Sequence, residues 1–366
     1  MGRRKQGFVA HENHVRMLLC GPTVYDYSHI GHARMLLFYD VAARYFRSKK
    51  IRVSVVVNIT DIDQKIFSKA KATATTPGAL AKRFIGELLL DFASLGITDF
   101  ALACASDHIG AARQLVTRLL KDGGAYSAGG NVYLDTRGIP SFGIMAGMTR
   151  KELEDCPLDI SPEKKSPLDV LLWNACENFD IAYHDDILGS GIPWWHMQDS
   201  SVAIANFAGS YDIHGGASEL VYPHHESHLA QLHALTSRDK PVRFWTHVGL
   251  VQVKGKKMSK SMHNTVAVRD LLRRHSANAL RLYFYSKHYR EDFDFAEKDL
   301  DKFEKVNDDI AGSVWTGRVR KQLAGKFFKC LANDFDTPRA LRVLYEAARA
   351  RSADLDAMVS TFGLRY

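Results

Sequence analysis

The sequence predicts an α/β protein built on a parallel sheet, and three early segments carry that expectation. Residues 15–20 (VRMLLC) form a short apolar run that stops at Gly21-Pro22, as a buried strand ending in a turn would. Between residues 29 and 46, Ile30, Ala33, Leu37, Val41 and Tyr45 recur with helical spacing on one side. Residues 51–57 are rich in β-branched side chains and read as a second buried strand. Strand, helix and strand within about 45 residues make a βαβ unit, which implies parallel strands.

Further along, residues 77–95 and 108–121 have helical patterns. Gly129-Gly130 precedes Asn131-Val132-Tyr133-Leu134, a hairpin strand. Residues 137–170 are rich in turn formers and charge and read as a surface insertion. Helices are expected at 194–208 and 219–235, with Asp212-Ile213-His214 as a short strand between them. Another strand is expected at 245–253. From Val268 onward the pattern is nearly all helical, and Pro338 marks the start of a final helix.

The 366 residues suffice for a sizeable core and two or three structural units. No stretch approaches the ~18 uninterrupted apolar residues of a membrane span. The basic start, Met1-Gly2-Arg3-Arg4-Lys5, is followed by no apolar signal core, so the expected location is the cytoplasm, with no membrane partner. The formal charge of +8 favours an acidic partner such as a nucleotide, an RNA or an acidic carrier. The five cysteines, at 20, 104, 156, 176 and 330, include no CxxC pair and give no disulfide framework.

Two motifs carry chemistry. His29-Ile30-Gly31-His32 sits just past the first strand and opens the first helix, where open parallel sheets bind ligands. A helix N-terminus offers free N–H groups and a positive dipole end to phosphate. Gly31 leaves room for a purine or ribose against backbone, and the two imidazoles can donate to phosphoryl oxygens as charge moves. Lys257-Met258-Ser259-Lys260-Ser261 follows a strand, and lysines on such a loop suit a triphosphate and a departing pyrophosphate. Each motif alone is short. The pair, one in each half and each at a strand end, is specific.

These residues resemble the class I aminoacyl-tRNA synthetases, and specifically the cysteinyl-tRNA synthetase family. The likeness runs through Cys20-Gly21-Pro22-Thr23-Val24-Tyr25-Asp26, Asn58-Ile59-Thr60-Asp61-Ile62-Asp63, Ser166-Pro167-Leu168-Asp169 and Leu172-Trp173. It continues through Trp194-Trp195-His196, His214-Gly215-Gly216 and Pro223-His224-His225-Glu226 to His288-Tyr289-Arg290, Asn333-Asp334-Phe335 and Thr337-Pro338. The resemblance implies a Rossmann-type parallel sheet split by an insertion and followed by a helical domain. The implied divisions are residues 1–97 and 191–266 for the two catalytic halves, 98–190 for the insertion and 267–366 for the helical region. It also implies ATP with magnesium. His29, His32, Lys257 and Lys260 would handle the phosphates, and Gly31, His214, Gly215, Gly216 and Glu219 would line the adenosine site. Glu219 stands where the family has aspartate. Thr23, Trp195 and His196 would meet the amino acid.

The family recognises cysteine by binding its thiolate to zinc held by two cysteines, a histidine and a glutamate. This sequence keeps Cys20 and His224, has Asp199 at the second cysteine and has His228 at the glutamate. The implied set is Cys20, Asp199, His224 and His228, all zinc-binding residue types. His224 and His228, at i and i+4, would share a helix face. The set carries one thiolate fewer than the family's and predicts a stronger Lewis acid. A zinc-protease motif is excluded, because Leu229 stands where its second histidine belongs.

The family continues into a region that reads the anticodon, whereas this chain ends at Tyr366, so the expectation is a shortened paralogue acting as a monomer. Arg318, Arg320, Lys321 and Lys326 are candidates for an acceptor stem. Three readings of the step after activation stay open. The acceptor is a tRNA; or it is a small amine, as in the related ligase of mycothiol synthesis; or the chain is a silent paralogue that binds RNA or protein.

Overall fold

The run at 15–20 lies inside a strand, His14–Thr23 (β1), whose Met17, Leu18, Leu19 and Cys20 are all buried. A computed structural model describes residues 5–156, 158–159, 161–176, 182–258, 264–314 and 323–366. After β1 comes the helix Ile30–Ser48 (α1), capped by the His29 side chain, which accepts from Gly31 N. Arg52–Thr60 (β2) then runs parallel to β1, with Cys20 opposite Asn58. The helices Gln64–Ala72 (α2) and Pro77–Leu95 (α3) lead to a short strand, Ala101–Cys104 (β3), which pairs parallel with β2.

Helix Ile109–Lys121 (α4) opens the inserted part. Ala125–Ala128 (β4), Asn131–Leu134 (β5), the short helix Arg150–Glu154 (α5), Val170–Ala175 (β6) and Gly191–Pro193 (β7) come after it. Strands β4, β5, β6 and β7 make an antiparallel sheet in that order. The chain returns through Trp195–Phe207 (α6), Tyr211–Ala217 (β8), Glu226–Thr236 (α7) and Val242–Val248 (β9). The main sheet has the order β3-β2-β1-β8-β9 with every pair parallel. Strand order therefore reverses beside β1, and the crevice between the ends of β1 and β8 is where such sheets bind ligands.

Val251–Val253 (β10), Lys256–Lys257 (β11), Val268–Leu272 (α8), Ala277–Tyr285 (α9) and Phe293–Asp294 (β12) come next. Leu300–Val314 (α10), Ala324–Ala332 (α11), Thr337–Arg349 (α12) and Leu355–Phe362 (α13) complete the helical part.

Several expectations change. The strand expected at 245–253 is two strands in different sheets, β9 and β10. The buried Arg34 takes the intervening carbonyls, donating to Gly249 O at 2.6 Å and Leu250 O at 3.2 Å. The helix expected at 219–235 is interrupted by a kink at Tyr222 (φ −132°, ψ 133°), and its regular α-helical part is Glu226–Thr236. Residues 137–170 are not merely surface: Phe142, Met145, Leu153, Leu158 and Leu168 are buried. The division expected at residue 97 falls before β3, which belongs to the main sheet. Pro338 does begin a helix, α12, with Asp336 as cap, but α13 comes after it.

One buried ion pair ties the helical part to the sheet. Arg281 on α9 donates to Asp40 Oδ2 on α1 at 2.7 Å, to Leu95 O at the end of α3 at 2.8 Å and to Phe362 O on α13 at 3.0 Å. Removing one partner strands the other charge in an apolar interior. Asp40→Ala is therefore expected to lower the unfolding free energy by about 3–5 kcal/mol, read from the urea midpoint at unchanged slope.

Candidate active site

At the C-terminal ends of β1 and β8 lies a cleft of ≈ 620 Å³. His29 and His32 line it, their rings stacked at 3.7 Å between centroids. Gly31 N donates to His29 Nδ1 at 3.1 Å, and His29 N donates to His32 Nδ1 at 3.3 Å. The helix start thus fixes both rings. A Cβ on Gly31 would press the His29 ring at 2.9 Å, so in this structure the bare Cα makes room for that imidazole.

Lys257 on β11 and Glu219, in the turn after β8, also line the cleft, and their side chains form an ion pair. Lys260 lies outside the described residues, as do Arg318, Arg320 and Lys321. Thr23 and Trp195 line the cleft. His196 is buried behind Trp195, with Nδ1 2.9 Å from His224 Nδ1. Gly215 packs on α1, where an added Cβ would run into the Tyr39 ring. Gly216 leaves space for the His225 ring, which a Cβ would meet at 2.9 Å.

Behind the cleft is a buried cluster centred on Cys20. Its Sγ donates to Asp199 Oδ1 at 3.2 Å and meets His225 Nε2 at 3.2 Å, His214 Nε2 at 3.3 Å and His224 Nε2 at 3.4 Å. Among the described residues these donors fall into two groups suited to a metal, Cys20–His224–His225 and Cys20–Asp199–His214, each within 4.8 Å. His228 does not join them. Its Nδ1 meets Ser200 Oγ and its Nε2 meets the Tyr211 hydroxyl, both at 2.8 Å.

The sequence matches the family of tRNA synthetases class I (C) catalytic domain over residues 7–305. It is 35% identical over 362 residues to a cysteine--tRNA ligase of Pyrococcus abyssi, spanning 93% of this chain and 76% of that protein. A cysteine--tRNA ligase of Acinetobacter baylyi is 34% identical over 366 residues, with 95% and 76% covered. The chain belongs to the cysteinyl-tRNA synthetase family. Solved structures agree on the fold. Mycobacterium tuberculosis methionyl-tRNA synthetase in complex with methionyl-adenylate superposes with a TM-score of 0.71 at 13% identity, covering 96% of this chain and 87% of that one. The Agrobacterium radiobacter K84 agnB2 LeuRS, in a ternary complex with tRNA and LeuAMS, gives 0.68 at 10% identity, covering 95% and 82%.

Metal binding in this family member is compatible with the cluster's chemistry. Each imidazole that aims Nε2 at Cys20 has its Nδ1 held by a further group: His214 by the Tyr211 hydroxyl at 2.7 Å, His224 by His196, and His225 by His247 Nε2 at 2.8 Å. Metal-ligating histidines are oriented in this way. Burial, reinforced by Asp199, pushes the Cys20 thiol well above its usual range. Burial and the neighbouring imidazoles hold His214 and His225 well below theirs, so both offer neutral nitrogen lone pairs. Burial works against ionised Asp199, but His224 beside it holds that carboxyl low.

Sequence reading quotes His225 only within the family resemblance and singles out neither His247 nor Tyr211; His214, expected at the adenosine site, has its Nε2 3.3 Å from the Cys20 sulfur. Two signals were present. His225 directly follows His224, and Gly216, which makes room for the His225 ring, pairs with His247 in the β8–β9 register. Because β8 carries His214 and seats Gly215 on Tyr39, Gly215→Ala is expected to cost about 1–3 kcal/mol by overpacking. Urea unfolding checks this. The same displacement of β8 is expected to lower amino-acid-dependent ATP–pyrophosphate exchange.

Proposed function

We propose that the chain activates a small amino acid of the cysteine class with ATP and transfers it from the adenylate to a tRNA. The observation that carries this reading is the stacked His29–His32 pair at the N-terminus of α1, sharing one cleft with Lys257 and Glu219. The family relatives, named cysteine--tRNA ligases, support the substrate and the acceptor.

The amino-acid carboxylate attacks the α-phosphorus of ATP. A carboxylate oxygen–phosphorus bond forms, the bond to the bridging β-phosphate oxygen breaks, and pyrophosphate leaves. Both imidazoles accept a backbone N–H on Nδ1, so each neutral ring carries its proton on Nε2. Those N–H groups and the α1 dipole stabilise charge growing on the phosphoryl oxygens. Lys257 and Lys260 take the outer phosphates, with magnesium accompanying ATP. Lys257 first leaves Glu219. Both side chains are partly exposed, at 61% and 40%, so breaking the pair costs about 1 kcal/mol or less. Glu219 is then free for the ribose hydroxyls.

Thr23 and Trp195 wall the amino acid, and His196 acts through His224. In the second step a terminal hydroxyl of tRNA attacks the adenylate carbonyl and AMP departs. A zinc ion at the cluster would be held by Cys20, Asp199 and His224 among others, supplying a Lewis acid beside the amino-acid pocket. His228 supports that cluster through Tyr211.

The decisive measurement is ATP–pyrophosphate exchange with each amino acid in turn, followed by charging of total tRNA. Exchange with a small amino acid and charging are expected; no exchange with any amino acid sinks the reading. His32→Ala and Lys260→Ala are each expected to reduce exchange by about 100-fold or more, with the urea midpoint unchanged.

A further inference from the structure

We propose that Arg34 is a positioning residue for the activation step: it fixes the strands that lead to Lys257 against the helix that presents His29 and His32. The inference rests on the activation proposed above, in which Lys257 takes the outer phosphates of ATP.

Arg34 lies in the second turn of α1 and is buried. Its planar guanidinium spans two segments far apart in the chain. Nη1 donates to Gly249 O and Leu250 O, and Nη2 donates to His288 O at 3.1 Å, to Tyr289 O at 3.4 Å and to Glu291 O. The Phe293 ring packs on the group, 4.6 Å from its central carbon. Burial lowers its pKa to about 10, so it stays charged in neutral solution. A buried cation bonded to several carbonyls is costly to displace from them.

Those carbonyls stand at the base of one three-stranded unit. Leu250 leads directly into β10, and Glu291 leads into β12, which pairs parallel with β10. β10 turns at Lys254-Gly255, both at positive φ (55° and 69°), and returns as β11, with Lys257 opposite Gln252. A two-residue turn of this kind fixes the register of its hairpin. Asp294 on β12 accepts from Gly255 N at 2.9 Å and ties the turn to the same unit. The backbone at Lys257 is thereby set from Arg34, while its side chain stays partly exposed and able to change partner.

Past Lys257 the chain returns to the start of α1. Ile30 N donates to Val266 O and Val268 N donates to Ser28 O, each at 3.0 Å. A Cβ on Gly31 would also meet Met258 Cε at 3.3 Å, so the residue after Lys257 already packs on the helix start. α1 is therefore a common frame for both motifs. Its N-terminus holds the imidazoles and the returning chain, and Arg34 holds the strands before Lys257. Arg34→Lys keeps the charge, but a single ammonium cannot bridge both segments as the guanidinium fork does.

Arg34→Lys is expected to lower kcat of ATP–pyrophosphate exchange by about 10- to 100-fold, with KM for the amino acid unchanged. In a Lys257→Ala background the same substitution is expected to cost less than about threefold, because the group it positions is gone. Equal losses in the two backgrounds overturn the proposal, as does full activity of Arg34→Lys or a raised amino-acid KM. Hydrogen–deuterium exchange supplies a readout independent of activity. Amides of residues 251–257 are expected to exchange about 10-fold faster or more in Arg34→Lys, with β1 unchanged. Unchanged protection at 251–257 overturns the proposal even where turnover falls. If Arg34→Lys does not fold, Gly249→Ala takes its place, because an added Cβ there runs into the Glu291 backbone and parts the same two segments. The same loss of kcat at unchanged amino-acid KM is expected of it, and full activity counts against the proposal. Absence of exchange with every amino acid in the unaltered chain overturns activation, and amide protection still decides whether Arg34 holds the strands.

Discussion

Parallel pairing of β1 with β8 joins segments 194 residues apart at the Cys20–His214 contact. In this register Leu18 lies opposite His214 and Leu19 opposite Gly215. Side chains alternate faces along a strand, so a slip of one residue would send Cys20 and His214 to opposite sides of the sheet. The cluster, the space for Tyr39 under Gly215 and the site of the cleft all depend on this alignment. It is held by burial of β1 on both faces and by the aromatic ring of α1 that packs on β8.

Around that rigid pairing the structure divides its labour. The imidazoles of the cluster are fixed twice over, at one nitrogen by the Cys20 sulfur and at the other by a neighbour. The ion pair lining the cleft is held more loosely. Lys257 and Glu219 are partly exposed where they pair beside the cleft. A preorganised interior beside an adaptable mouth suits a reaction whose catalysis is chiefly positioning and charge stabilisation.

Much of the fold was legible because local signals agreed with it. The apolar run before Gly21-Pro22, the helical spacing after His29 and the β-branched second strand each became the element they suggested. The family motifs located His29, His32 and Lys257, which line one cleft. What could not be read depended on contacts remote in sequence. Arg34 captures the carbonyls of Gly249 and Leu250 and so divides an apparently continuous strand. The kink at Tyr222 interrupts the helix expected at 219–235, and His225 rather than His228 meets the Cys20 sulfur, at 3.2 Å. No spacing rule for a continuous helix foresees that exchange of partners.

Depth of burial also separates the cysteines chemically. Cys20 is enclosed, while Cys156 is exposed. Alkylation requires a thiolate that reagent can reach. A mild maleimide would therefore mark Cys156 and pass over the thiol at the centre of the protein. That offers an attachment point for a dye or a surface linker without disturbing the cleft.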